Sequence, residues 1–133
     1  MTAMAQQTVA TKQLLIVEDD PTVRRVLTIA MRHAGFNVDA VDSGSEALAR
    51  LERGGFAGVL LDMGLPDHRS GDVLDWLHAH NEQPPWLVIS AMDRSEVARM
   101  DGKIPSRFVS KPFDPWTLIE RVKAMVDEGE EKS

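Results

Sequence analysis

The chain contains no cysteine. That excludes a disulfide framework, a thiolate metal site and a thiol nucleophile. It also lacks a cationic excess: the formal net charge is −6, which disfavours nucleic-acid binding carried by phosphate neutralisation. No apolar run approaches the roughly 18–20 residues of a membrane span. The segment from Met1 to Lys12 is polar and lacks the basic-then-apolar order of a signal peptide, so a cytoplasmic location is expected. Internal repeats, low-complexity tracts and interdomain linkers are missing as well. What remains is one domain, long enough at 133 residues to bury about two thirds of its unfolded surface. The boundaries expected are a disordered leader over 1–11, a domain over 12–127 and a disordered charged tail over 128–133.

Strand and helix patterns alternate, as βα units of a parallel sheet require. Leu14 to Val17 is a continuous apolar run suited to a strand covered on both faces. Asp20-Pro21 reads as an N-cap with proline at the first helical position. Val23, Val26, Leu27, Ala30 and Ala34 then follow at helical spacing, and Gly35 ends the helix. Phe36 to Val41 is the second strand. Ser43-Gly44-Ser45 opens a helix with Ala47, Leu48 and Leu51 as its buried stripe. Phe56 to Leu61 is the third strand, Gly64 to Gly71 a loop, and about Asp72 to His80 the third helix. Trp86 to Ile89 forms a fourth strand. Asp93 with Glu96 resembles a capping box for a short, weakly apolar helix before Gly102 and Pro105. Arg107 to Ser110 is a fifth strand, and Asp114-Pro115 opens a strongly amphipathic final helix.

Chemistry sits where the apolar runs end. The first runs into Glu18-Asp19-Asp20, the third into Asp62, the fourth into Ser90 and the fifth into Lys111-Pro112-Phe113. In an open parallel sheet those positions converge at the carboxyl edge, where such sheets bind ligands. Asp20 is read as a helix cap. Glu18 and Asp19 offer hard oxygen donors suited to Mg²⁺. Bringing Asp62 beside them opposes folding, since two unit charges ~5 Å apart repel by ~3 kcal/mol at an effective dielectric near 20. A cation or the Lys111 ammonium would offset this, so the cluster is better explained as a site than as scaffold. A carboxylate can attack phosphorus to give an acyl phosphate. Ser90 would donate to a phosphoryl oxygen and Lys111 would neutralise charge. A cis Lys111-Pro112 bond, accessible at ~0.5–1 kcal/mol, would aim the lysine inward.

Together the motifs LLIVEDDP, VLLDMGLP, VISA and SKPF, in this order, resemble the receiver domain of bacterial two-component response regulators, over about Lys12 to Asp127. The resemblance implies a (βα)5 flavodoxin-like fold, with a parallel sheet in order 2-1-3-4-5 and helices on both faces. It implies that Asp62 is the phosphoacceptor and that Glu18 and Asp19 are the acidic metal pair, Asp19 the direct ligand. The backbone carbonyl of Gly64 would also bind the metal. Ser90 would contact the phosphoryl group, Lys111 would be the site lysine, and Phe108 the aromatic switch position. It further implies a signalling protein rather than an enzyme, with a histidine kinase or histidine phosphotransfer protein as donor. Helix one is implied as the kinase docking surface. With no output domain in the chain, a stand-alone regulator is expected, read by a downstream protein partner. The readout surface would be the fourth helix, fifth strand and fifth helix.

Several positions depart from that pattern. The loop from Pro66 to Gly71 is one residue longer, and its tip Asp67-His68-Arg69 is read as a partner contact. Phe108 has no hydroxyl, so its ring should be buried by packing. Gly64 and Met92 occupy the positions that orient or exclude attacking water by resemblance, and neither offers an amide or carboxylate. The alternative reading is an interaction module that works without phosphate. A flavin-binding fold would need a phosphate-binding loop where Glu18-Asp19-Asp20 stands. An acid phosphatase would need a different spacing of acids.

Overall fold

The computed structural model describes residues 11–81, 83–93, 95–96, 99 and 107–132. Five parallel strands form one sheet in the order β2-β1-β3-β4-β5: β1 Gln13–Val17, β2 Asn37–Val41, β3 Gly58–Asp62, β4 Trp86–Ser90 and β5 Phe108–Ser110. The helices are α1 Pro21–His33, α2 Gly44–Arg53, α3 Ser70–Ala79 and a C-terminal helix, Pro115–Lys132. The expected leader, apart from Thr11, and most of the helix expected after Asp93 lie outside the described residues.

Strand alternation divides the core into two layers. Leu15, Val17, Val59, Leu61 and Val88 face α2 and α3, packing on Leu51, Val73, Leu74 and Leu77. Leu14, Ile16, Leu60, Leu87 and Ile89 face α1 and the C-terminal helix, packing on Leu27, Met31, Leu118 and Val122. Both layers are closed, which is why β1, β3 and β4 read as unbroken apolar runs. No helix among the described residues is long and apolar enough to cross a membrane.

The local signals act as their chemistry predicts. Asp20 accepts from the Thr22 and Val23 amides at 2.8 and 3.1 Å, with Pro21 at the head of α1. Ser43 accepts from the Glu46 amide at 3.2 Å. Asp93 and Glu96 exchange a reciprocal pair of bonds, as a capping box requires. Asp114 accepts from both the amide and the hydroxyl of Thr117.

Two expectations are corrected. The helix α3 begins at Ser70, two residues early, because the Ser70 hydroxyl is drawn inward to the Asp62 carbonyl at 2.8 Å. The C-terminal helix runs on to Lys132, through most of the expected tail. Glu128 is held there by Arg107 at 3.2 Å, and a side-chain atom on Gly129 would lie only 3.2 Å from Pro85. On α1, Val26 is 41% exposed while Met31 is fully buried. The sheet covers the Leu27–Met31 side of this helix and leaves Val26 at its margin.

The long loop after β3 also differs from expectation. Asp67 is not a free tip. Its carboxylate accepts from the Gly44 amide at 3.2 Å, from the Ser45 amide at 3.0 Å and from the Ser45 hydroxyl at 3.2 Å. Arg69 bonds Ser45 and pairs with Asp72 at 2.9 Å. At the tip, His68, with a positive φ of 58°, faces outward and is exposed. The loop approaches α2 so closely that a Cβ on Gly44 would sit 2.6 Å from the Arg69 Cβ.

Candidate functional site

Register explains how distant residues meet. Val17 pairs with Leu61 across β1 and β3, so Glu18 and Asp62 follow at the same level of the sheet. Asp62 pairs with Ile89, and Ser90 with Ser110, so Ser90 and then Lys111 stand successively further along the carboxyl edge. Neighbouring parallel strands lie about 4.8 Å apart. The switch point of the strand order falls between β1 and β3, where Glu18 and Asp62 stand.

Carboxylate oxygens of Glu18, Asp19 and Asp62 all lie within 4.8 Å of one another. Glu18 is 1% exposed and Asp62 6%, while Asp19 is half-buried. The Lys111 ammonium stands 2.7 Å from Glu18 Oε1 and 3.5 Å from Asp62 Oδ2. The Glu18 contact is a close ion pair rather than an aligned hydrogen bond. Glu18 Oε2 accepts from the Asp20 amide, and Asp62 Oδ1 from the Gly64 amide at 3.0 Å. Arg24 holds the turn after β1 by donating to the carbonyls of Glu18 and Asp19. Ser90 is 1% exposed, and its oxygen accepts from the Met92 amide at 3.1 Å. Phe108 is 7% exposed and packs in the α2–α3 core layer, as expected of a ring without a hydroxyl. The Lys111–Pro112 bond is cis.

The structure thus brings Glu18, Asp19, Asp62 and Lys111 together, with Ser90 at the same edge. Three acids against one ammonium leave an excess of negative charge in a partly buried recess. Their hard oxygen donors fit a divalent cation such as Mg²⁺. Sequence reasoning missed Ser70 and Arg24, whose side chains fix the ends of β3 and β1. Neither carries a local signal, because each bonds a backbone carbonyl supplied by another turn.

Electrostatics gives a testable consequence. Burial pushes the Glu18 carboxyl above the ordinary value of 4.5; Lys111 opposes this and the Asp62 carboxylate adds to it. Burial opposes the Lys111 ammonium, but Glu18 and Asp62 outweigh it and raise its pKa. Folded Glu18 therefore binds its proton more tightly than the unfolded chain does. The stability it contributes is full below pH 4.5 and is lost as pH rises through the folded value. The Lys111 contribution is lost only above its ordinary 10.5. Asp67 is held low by the Ser45 and Gly44 amides against partial burial, and Asp114 by Thr117. Stability from these two is complete above 3.8 and falls only below it. Without divalent cation, calorimetry is expected to show the melting temperature falling as pH rises from 4.5 toward neutrality. Glu18→Gln should flatten that fall, and equal slopes in the two proteins would refute the assignment.

Comparison with known proteins agrees with this geometry. Residues 14–123 match the family model described as the response regulator receiver domain. The DNA-binding response regulator MtrA of Mycolicibacterium smegmatis is 31% identical over 121 residues, 91% of this chain and 53% of that protein. The sensory transduction protein RegX3 of the same organism is 35% identical over 118 residues, 87% of this chain and 51% of its own length. The chain therefore spans about half the length of these relatives. A CheY-like receiver domain protein from Methanospirillum hungatei superimposes with a TM-score of 0.84 at 24% identity, covering 93% of this chain and all of that one. A doubly wound sheet in this strand order, acids gathered at its switch point and a family match across most of its length lead to one conclusion: the chain belongs to the response regulator receiver domain family.

Proposed function

We propose that Asp62 accepts a phosphoryl group from a phosphohistidine of a kinase or phosphotransfer protein. The observation that carries this reading is the Lys111 ammonium set against both Glu18 and Asp62, at 2.7 and 3.5 Å, beside a third carboxylate. A carboxylate oxygen of Asp62 forms the new O–P bond as the N–P bond of the donor breaks. The electron pair returns to the imidazole nitrogen, which takes up a proton. Glu18, Asp19, Asp62 and the carbonyl of Gly64 would hold Mg²⁺. When bound, that ion offsets the carboxylate charge and the charge on the phosphoryl oxygens. Gly64 donates its amide to Asp62 Oδ1 and so orients the acceptor. Ser90 keeps its O–H to donate to a phosphoryl oxygen, and Lys111 pairs with another.

Phosphorylation adds about −2 charge at Asp62. Ser90 and Lys111 are drawn toward it, and each leads into a segment at the β4–β5 side of the sheet. A shift from 1:99 to 99:1 needs ~5.5 kcal/mol of differential interaction. Two charge-assisted bonds at roughly 1.5–3 kcal/mol each approach that. The altered surface around β5, Phe108 and the C-terminal helix is then read by a downstream protein. The test is to weigh the intact protein after incubation with Mg²⁺ and a small acyl-phosphate donor. One added phosphoryl group, absent when the metal is chelated before the donor is added, supports the reading. No gain in mass would instead favour a module that works without phosphate.

The lifetime of the acyl phosphate follows from Gly64 and Met92. Gly64 is exposed, and a Cβ there would meet only Asp62 Oδ1, at 3.7 Å. Met92 packs its thioether chain against the core. Neither positions a water, so loss of phosphate is expected to be slow. Met92→Glu should accelerate it by supplying a general base, as read by the decay of the phosphorylated mass. An unchanged decay for Met92→Glu would count against this.

A further inference from the structure

Arg24 stands in the first turns of α1, where its amide donates to the Asp20 carbonyl at 2.8 Å. Its guanidinium reaches back past the helix start toward β1. One nitrogen, Nη1, donates to the Glu18 carbonyl at 3.0 Å and to the Asp19 carbonyl at 3.1 Å. The side chain is half-buried, and among the described residues it pairs with no carboxylate. A guanidinium this close to acids that bonds only their carbonyls is fixing backbone rather than balancing charge.

The three acids of the cluster are not anchored equally. Glu18 has the Asp20 amide on Oε2 and Lys111 beside Oε1. Asp62 has the Gly64 amide on Oδ1, Lys111 beside Oδ2 and the Ser70 hydroxyl on its carbonyl. Asp19 has neither amide nor ammonium on its carboxylate among the described residues. The one side chain bonded to it is Arg24, through the carbonyl. Neighbouring residues of an extended chain also point to opposite faces. For Glu18 and Asp19 both to reach within 4.8 Å of Asp62, the chain must turn as it leaves the sheet. The Glu18 amide still bonds the Val41 carbonyl of β2, at 3.0 Å, and Arg24 bridges the two carbonyls immediately beyond.

We propose that Arg24 is a positioning residue for the divalent cation: by bridging the carbonyls of Glu18 and Asp19 it keeps the Asp19 carboxylate on the point shared with Glu18 and Asp62, and so sets the affinity for Mg²⁺. The inference rests on the reading of this cluster as a Mg²⁺ site. Groups that orient a ligand without touching the metal account for roughly ten- to hundredfold in affinity. Charge alone gives the opposite sign. Removing a guanidinium from beside three carboxylates makes the recess more negative and tightens cation binding. Loosening the turn weakens it. The direction of the change therefore separates a positioning role from an electrostatic one.

Calorimetric titration of the full chain with Mg²⁺, at fixed pH and ionic strength and below the melting temperature of every variant, tests it. Arg24→Met is expected to bind Mg²⁺ roughly tenfold more weakly than the wild-type chain. Arg24→Lys keeps a charged donor able to bridge two carbonyls and should recover most of that loss. The rise in melting temperature produced by a fixed Mg²⁺ concentration should shrink in Arg24→Met and return in Arg24→Lys. Tighter binding by Arg24→Met would assign the residue to charge alone and overturns the proposal. So does a lower melting temperature with unchanged Mg²⁺ affinity, the mark of a merely structural role. A wild-type chain that takes up no Mg²⁺ overturns the site reading and the proposal with it, whereas equal affinities in wild-type and Arg24→Met chains overturn the proposal alone.

Discussion

Asp62→Asn is expected to take up no phosphoryl group under conditions where the wild-type chain gains one. The amide nitrogen is not a nucleophile, and the amide oxygen lacks the charge needed to attack phosphorus. The substitution is otherwise conservative. The asparagine oxygen can still accept the Gly64 amide that Asp62 Oδ1 accepts at 3.0 Å. Two electrostatic changes oppose each other. Repulsion from Glu18 and Asp19, within 4.8 Å, is lifted, and attraction from Lys111 at 3.5 Å is lost. At an effective dielectric near 20 each of the two acids repels by about 3.5 kcal/mol or more and Lys111 attracts by about 5 kcal/mol, so the variant should be no less stable than the wild-type chain. Intact mass gives the first result and thermal unfolding the second. An equal mass gain in the variant would move the acceptor to another carboxylate, with Asp19 next in reach.

Lys111→Ala is expected to be the most destabilising single change in the site when no divalent cation is present. Glu18 is 1% exposed and its Oε1 faces the ammonium at 2.7 Å. Removing the ammonium leaves two nearly buried carboxylates with no cation. Breaking a buried ion pair from one side costs about 3–5 kcal/mol; the lysine side chain is 19% exposed, which argues for the lower end. A loss of about 3 kcal/mol lowers the melting temperature by roughly 10 °C in a domain of this size. Saturating Mg²⁺ should recover part of it, since a ligand at a hundred times its Kd stabilises by about 2.7 kcal/mol. Calorimetry with and without Mg²⁺ decides this. An unchanged melting temperature would show that Glu18 is solvated or protonated in the folded chain.

Much of this was legible because its determinants are local. Asp20-Pro21, Ser43 and the Asp93–Glu96 pair state helix starts within four residues, and the unbroken apolar runs state strands covered on both faces. The site was legible for a related reason: a parallel sheet turns the ends of its strands into one edge, so residues far apart in the chain can be placed together before any distance is known. What was not legible rests on pairs that only the assembled fold creates. Asp67 and Ser45 are 22 residues apart, and Ser70 bonds a carbonyl eight residues back. Nothing in the Asp67-His68-Arg69 tip distinguishes a carboxylate that ties down a helix from one that waits for a partner. The C-terminal helix outran its apolar stripe because Arg107 reaches Glu128, 21 residues ahead. Val26 sits at helical spacing with buried neighbours, and only the placement of the C-terminal helix shows that it borders an open groove.

The strap between the Asp67 loop and α2 has a consequence for how this chain can vary. Only a hydrogen fits where Gly44 meets the Arg69 side chain. Trimming the loop by one residue would withdraw Arg69 and release position 44 to any small amino acid. Lengthening a side chain at 44 without trimming would lever the acceptor turn away from the sheet. Loop and glycine form a matched set, and a designer grafting this loop onto another scaffold must carry both.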